Sequence, residues 1–396
     1  MTVLTTSAGQ LAARPKSRAA GFRVELLRNW QQALARWHDI SPSTPFQHPQ
    51  WYDAWYAAFD GTEGVAPLIA VVTDASTHEP AMLLPLIRCR QDKITTVEFA
   101  DLNLTDYNAP ILGSAAPRDA KAMRALWRSL LSALRRMPEA ADLIRLRKVP
   151  IDLDGRPNPL ALLDTGGPCL LNGNLVTTGE DYDAWRYTLQ KAVRTELQRS
   201  WRVFTRDPAA SFAIVTDISE ALRILATTEV QQGARMKSLG RNYVLNDETC
   251  AAFYRNLVRD GVGNGYALVS VLTAAGDEIV ATLVGIRTGS RYVMVRISNA
   301  GEKWSNCSPG RLIIERTMAA LHKDGVREFD FSVGNYAYKR RFGVTPLSLI
   351  DISAALSWRG WPSAQRDHMV RAVRNHPRLD AWLRRARGKP LSREEN

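Results

Sequence analysis

The sequence predicts a mixed α+β protein of two lobes, each a mostly antiparallel central sheet flanked by helices. Three observations lead there. The chain has 396 residues, more than one hydrophobic core usually serves, and 45% of them are hydrophobic, enough for each lobe to bury its own core. Its second half reads as strands over 266–273, 279–287 and 292–298, joined at Ala275-Gly276-Asp277 and Thr288-Gly289-Ser290, then a helix and a strand over 326–333, a β-β-β-α-β order. Between the halves, residues 150–179 are too punctuated for regular structure, with Pro157-Asn158-Pro159 and Gly166-Gly167-Pro168 as the clearest breaks.

These signals predict a disordered tail over 1–21, a first lobe over 22–165, a linker over 166–184, a second lobe over 185–357, and a basic helix and tail over 358–396. The tail carries Arg14, Lys16 and Arg18 and no apolar signal core, and no run is apolar enough to span a bilayer, so a cytoplasmic protein is expected. In the first lobe, Trp51, Tyr52, Trp55, Tyr56 and Phe59 stand at helical spacing after the turn residues of 43–46 and predict a core helix over 49–59. Strands follow at 68–73, 81–87 and 95–100. The polar loop from Asp101 to Pro110 comes next, then a helix over 117–136 and a strand over 143–148.

The second lobe opens on an amphipathic helix over 185–204. Leu189, Val193, Leu197 and Trp201 recur every four residues, with Lys191, Arg194, Arg199 and Arg202 on the other side, so the basic face either lies in solvent or meets an anionic substrate. At 308 a helix start is chemically loaded. Ser308 suits the N-cap, Pro309 the first turn, and Gly310 leaves backbone N–H groups open to a phosphate that Arg311 would also attract. The richest segment follows the last strand, where Phe329-Asp330-Phe331 alternates, Gly334 supplies a positive φ, and Tyr336, Tyr338 and Lys339 crowd a turn. Asp330 is placed to act as a base, and Lys339 to bind a phosphate or carboxylate.

This last run, with Pro45-Phe46-Gln47-His48-Pro49-Gln50-Trp51, the basic helix around Arg194 and Ser308-Pro309-Gly310, resembles a GNAT-like acyltransferase group related to FemAB, the CelD-like cellulose-biosynthesis proteins. The likeness covers roughly residues 40–345. It implies two GNAT-like lobes, the first degenerate, and direct transfer from acetyl-CoA or another acyl-CoA to an amine or hydroxyl, without a metal. It further implies Tyr338 as the acid that protonates the leaving thiolate, with Tyr336 as the alternative, and an acceptor pocket faced by Asp106, Tyr107 and the helix of Arg194. The coenzyme's pyrophosphate would sit at Ser308, Pro309, Gly310 and Arg311, although Asn306–Arg311 lacks the family's usual R/QxxGxG/A spacing. The acceptor would be a small molecule or a saccharide precursor in exopolysaccharide synthesis. A FemAB-like transfer from charged tRNA and a non-catalytic scaffold are the rival readings.

Other chemistries leave no trace. Cys89, Cys169, Cys250 and Cys307 form no CxxC pair, the six histidines show no metal-ligand spacing, and GxSxG and Walker A motifs are absent. The net charge of +12 concentrates after Trp358, which suits a solvated terminal helix or a surface for an anionic partner.

Overall fold

The computed structural model describes residues 21–37, 44–91, 93–241, 243, 245, 247–334 and 336–374; residues 1–20 of the expected tail and most of the basic C-terminal segment lie outside them. The first half supplies strands β1 (Phe22–Leu27), β2 (Val65–Asp74), β3 (Pro80–Gln91), β4 (Ile94–Phe99), β5 (Ile111–Leu112) and β6 (Leu143–Pro150), a small hairpin of β7 (Asp152–Leu153) and β8 (Arg156–Pro157), and β9 (Gly166–Pro168). The second half supplies β10 (Gly173–Thr177), β11 (Ser211–Val215), β12 (Ala267–Ala274), β13 (Glu278–Thr288), β14 (Arg291–Asn299), β15 (Glu328–Asp330), β16 (Thr345–Leu347) and β17 (Leu349–Ala355).

Two sheets result, and they share one plan. The first runs β1-β2-β3-β4-β6-β17-β9, with β5 beside β3, and the second runs β11-β12-β13-β14-β15-β10-β16. In each, four antiparallel strands end on a parallel neighbour, β4 with β6 and β14 with β15, and the last two pairings return to antiparallel. The segment expected as a linker, 166–184, therefore holds β9 of one sheet and β10 of the other. Residues 349–355, expected in the second lobe, complete the first sheet.

The helices are α1 (Trp30–Ala35), α2 (Pro49–Phe59), α3 (Ala120–Arg135), α4 (Tyr182–Thr188), α5 (Lys191–Phe204), α6 (Ile218–Ser238), α7 (Glu248–Gly261), α8 (Pro309–Lys323), α9 (Ala337–Arg340) and α10 (Trp361–Arg374). The predicted basic helix is thus two, because the chain turns extended at Leu189 and Gln190. One core packs α3 on the outer face of the first sheet, and another packs α5 and α8 on the outer face of the second. The inner faces meet through α2 and α7 in a third core shared by both lobes. The aromatic stripe of α2 is buried there, each ring contributing on the order of 2 kcal/mol of apolar burial.

Candidate active site

The sequence motif around residue 45 proves to be the wedge that positions the site. Phe46 lies edge-on to Trp51 and Tyr107, His48 stacks on Tyr266 at 4.3 Å, and the Tyr266 hydroxyl donates to the Pro45 carbonyl at 2.8 Å. Fully buried Gln47 donates to the Tyr107 carbonyl at 2.9 Å, and Trp51 Nε1 to Thr105 Oγ1 at 3.0 Å. From the other side Lys148 Nζ binds both Asp101 oxygens, at 3.0 and 2.9 Å, and the Thr105 carbonyl. Residues 101–110 are held rigidly between the lobes. Leu102, Asn103 and Lys148 carry positive φ values of 45°, 67° and 55°, strain that only such pinning sustains.

That loop delivers Tyr107 to the parallel pair of the second sheet. β15 is shorter than the sequence suggests: it pairs with β14 only from Arg291 opposite Glu328 to Val293 opposite Asp330, and then the strands diverge. Ser332, at φ 62°, turns the chain away, and its hydroxyl donates to the Met294 carbonyl at 2.6 Å across the gap. Gly334 follows with φ 104°, the left-handed conformation expected of it. Beside the gap, β14 carries a bulge opposite Val284/Gly285, and buried Arg296 is fixed there by Gln232, Glu229 and Tyr243 from the helical side.

Alternation on β15 is as the sequence predicts. Phe329 and Phe331 enter the outer core, and Asp330 faces inward with no exposure. Both its oxygens are engaged: Oδ1 accepts from Tyr107 Oη at 2.7 Å and the Ser332 N–H at 2.8 Å, and Oδ2 from Arg291 Nη2 at 2.5 Å. Burial, then the neighbouring Asp330 charge, hold the Tyr107 hydroxyl far above its usual range, so it stays a proton donor. A carboxylate tied in this way orders the lobe junction. The free base expected of Asp330 is not what the geometry offers.

Asp106 is the different carboxylate. Burial raises its pKa while the Lys148 charge, the Ser332 hydroxyl and Lys339 oppose the shift. Lys339 is buried too, its Nζ donating to the Val333 carbonyl at 2.7 Å and the Ser332 carbonyl at 3.2 Å, and lying 5.3 Å from the Tyr336 ring. Burial lowers its pKa to about 8. Lys339 therefore braces the turn and is not presented to a phosphate. Half-exposed Tyr336 stacks with Tyr338 at 6.1 Å, and burial lifts the Tyr338 phenol to about 12, keeping it protonated at neutral pH.

The remaining predicted residues stand apart from this cluster. Arg194 Nη1 donates to the carbonyls of Tyr187 and Leu189, closing the end of α4, so its role is local. Ser308 precedes α8 as expected but with φ 47° and no capping bond; its hydroxyl accepts from Arg311 Nη2 at 2.7 Å instead. Arg311 is also paired with Glu196, which takes Arg341 as well. The Arg311 and Leu312 amides already bond the Ser308 carbonyl, which leaves the Gly310 amide in the first turn. The residues present do not form a phosphate cradle there. Arg291 and Ser332 were missed because nothing local distinguishes them: their roles arise only where two strands meet and part.

A cleft of about 780 Å³ lies at the matching place in the first sheet, between the end of β4, β6 and α10, lined among others by Glu98, Asn103, Arg147 and Asp351. It opens against the same loop that carries Asp106 and Tyr107.

A family model for an acetyltransferase (GNAT) domain matches residues 191–340. Among solved structures the chain is similar to FemX, with a TM-score of 0.58 and 11% identity, covering 87% of this chain and 100% of that one. It is similar also to a conserved protein of unknown function from Bacteroides thetaiotaomicron VPI-5482 (TM-score 0.51, 12% identity, 85% and 100% covered) and to L-PGS from Bacillus licheniformis (0.50, 10%, 87% and 97%). No curated protein matches the chain in sequence. The second lobe thus matches the model of a GNAT acetyltransferase domain over residues 191–340, and the chain as a whole has a two-lobed GNAT-like fold.

Proposed function

We propose that this protein is a cytoplasmic acyltransferase that moves an acyl group directly from acyl-CoA to an amine or hydroxyl of a small-molecule or saccharide acceptor. The observation that supports it is the position of the strand divergence: β14 and β15 part after Val293 and Asp330, Ser332 and Lys339 brace the turn beyond, and both strands and the turn lie in the GNAT-matched segment, with Asp106 brought close to Ser332 and Lys339 from the first lobe. In this reading the acceptor attacks the acyl carbonyl and the carbon–sulfur bond breaks. The Asp106 carboxylate takes the acceptor's proton and the Tyr338 phenol protonates the thiolate. Asp330 is a positioning residue acting through Tyr107 and Arg291. The CelD-like resemblance would make the acceptor a precursor of exopolysaccharide.

A second reading, FemAB-like transfer from charged tRNA, is favoured by the engaged Arg311 and the poor phosphate cradle at α8. Calorimetric titration at fixed salt with acetyl-CoA, a longer acyl-CoA and an aminoacyl-tRNA separates them, since a basic chain attracts any polyanion weakly. Saturable acyl-CoA binding with none for aminoacyl-tRNA supports the first reading. Saturable tRNA binding with none for acyl-CoA replaces it with the second, and no binding to either leaves the scaffold.

A further inference from the structure

Helix α10 is built with its polarity reversed. A surface helix ordinarily turns its apolar side to the core and its charges to water. Here two charges point inward while Arg366 stays exposed: Arg371 is 6% exposed with Nη1 on Ser353 Oγ at 3.0 Å, and Asp367 accepts from Arg145 Nε at 2.7 Å, both side chains largely buried. Outward stand Trp361 at 59% exposure and Met369 at 60%, the turn before the helix adds Trp358 at 84%, and Val370 at 41% lies on the cleft side. Trp361 and Met369 are eight residues and about 12 Å apart along the helix, with exposed Gln365 between them on the same side. Exposed large apolar groups scattered singly need no explanation, but two tryptophans and a methionine on the side opposite an inward-facing ion pair do.

The surroundings are cationic. Arg135 adjoins Trp358 and Trp361 on one side. On the other, Arg359 opens on a groove with Arg88, Arg90 and Lys93, where Glu63 is the acidic rim residue and Asp142 is occupied by Ser357 and the Thr95 amide. Arg366 is exposed on α10 itself.

We propose that this face docks on an anionic phospholipid surface. Tryptophan favours the level of lipid headgroups, methionine enters the acyl boundary, and arginines beside them meet lipid phosphates while their stems cover apolar area. Single-stranded nucleic acid fits less well, since Met369 offers no ring for a base to stack on. The docked surface carries the α10 side of the first lobe, the same helix that roofs the 780 Å³ cleft.

The test is co-sedimentation of the full chain with phosphatidylcholine vesicles, with or without phosphatidylglycerol, and quenching of tryptophan fluorescence by brominated lipid. Binding is expected to the anionic vesicles only, with quenching. Trp358→Ala/Trp361→Ala should weaken it by about tenfold or more. Arg359→Glu/Arg366→Glu should weaken it by about fivefold or more for each reversed charge. All four side chains are exposed, and matching circular dichroism and melting curves establish that the variants fold. The proposal is overturned if the wild type ignores anionic vesicles, or if both variants bind like wild type. It also fails if the same substitutions abolish saturable tRNA binding or dissociate a dimer while vesicle binding is absent.

Discussion

Replacing Asp330 with Asn tests whether the lobe junction is held electrostatically. The change keeps volume and removes the charge, leaving Arg291, whose side chain is 17% exposed, with Glu328 at 3.9 Å as its one counter-ion among the described residues. Removing one partner of a buried pair costs about 3–5 kcal/mol, and the partly exposed Glu328 puts this case near the lower end, about 3 kcal/mol. Tyr107→Phe removes one hydrogen bond to an ionised acceptor, about 1.5–3 kcal/mol. Because both changes act on one carboxylate, the double variant should lose less than the sum. Urea unfolding of the four proteins gives the coupling energy directly. A coupling below about 0.3 kcal/mol, or an Asp330→Asn cost below about 1 kcal/mol with unchanged denaturant slope, would refute the buried junction. Under folded conditions Asp330→Asn should keep the wild-type pH profile of transfer, as expected of a residue that acts by positioning.

Three further outcomes follow from the same geometry. Asp106→Asn should lower kcat by about a hundredfold or more with little change in stability, measured by steady-state kinetics beside a thermal melt. Lys339 deprotonates at about 8 when folded and near 10.4 when unfolded, so between these values the unfolded chain holds more protons and stability rises with pH, by roughly 3 kcal/mol in all. Lys339→Met should remove that rise in urea titrations from pH 7 to 10. In Gly173→Ala the new Cβ would lie 2.3 Å from Tyr107 Oη and 2.8 Å from its ring, so the tyrosine must move off Asp330; a loss of about 1–3 kcal/mol and a changed tyrosine ultraviolet signal are expected.

What the sequence disclosed was whatever depends on neighbours in the chain. The α2 aromatics, the meander from β12 to β14, the alternation of Phe329, Asp330 and Phe331 and the positive φ of Gly334 are local consequences of periodicity and sterics. The charged residues were legible as a group but not in their partners. Arg311, Arg194 and Lys339 looked free to bind anions, yet Glu196 and backbone carbonyls take them, and these bonds depend on how α4, α5 and the turn after β15 pack. Ser332 carries no signal at all in sequence, since a left-handed serine is specified by the gap it closes.

The lobe boundary was hidden for a stronger reason: the two sheets exchange strands. In the first sheet β17, from near the end of the chain, inserts between β6 and β9, and in the second β10, from the connection, inserts between β15 and β16. The order of strands within each sheet is the same, so the sixth strand of each lobe follows the seventh of the other. Neither lobe is complete as a continuous segment. Cutting after residue 348 strips β6 and β9 of the strand between them, with the ladder from Leu349 to Ala355 and buried Leu349 and Ile352. Those two side chains alone stabilise by about 3–6 kcal/mol, against a typical net of 5–15 kcal/mol for a domain. A chain ending at 348 should therefore lose the near-ultraviolet signal of the first lobe's tryptophans, and a peptide of residues 349–374 should restore it. If the shortened chain kept that signal and its melting temperature, β17 would be an ornament on a self-sufficient lobe, and the interlocking of the two halves would not be what holds Tyr107 against Asp330.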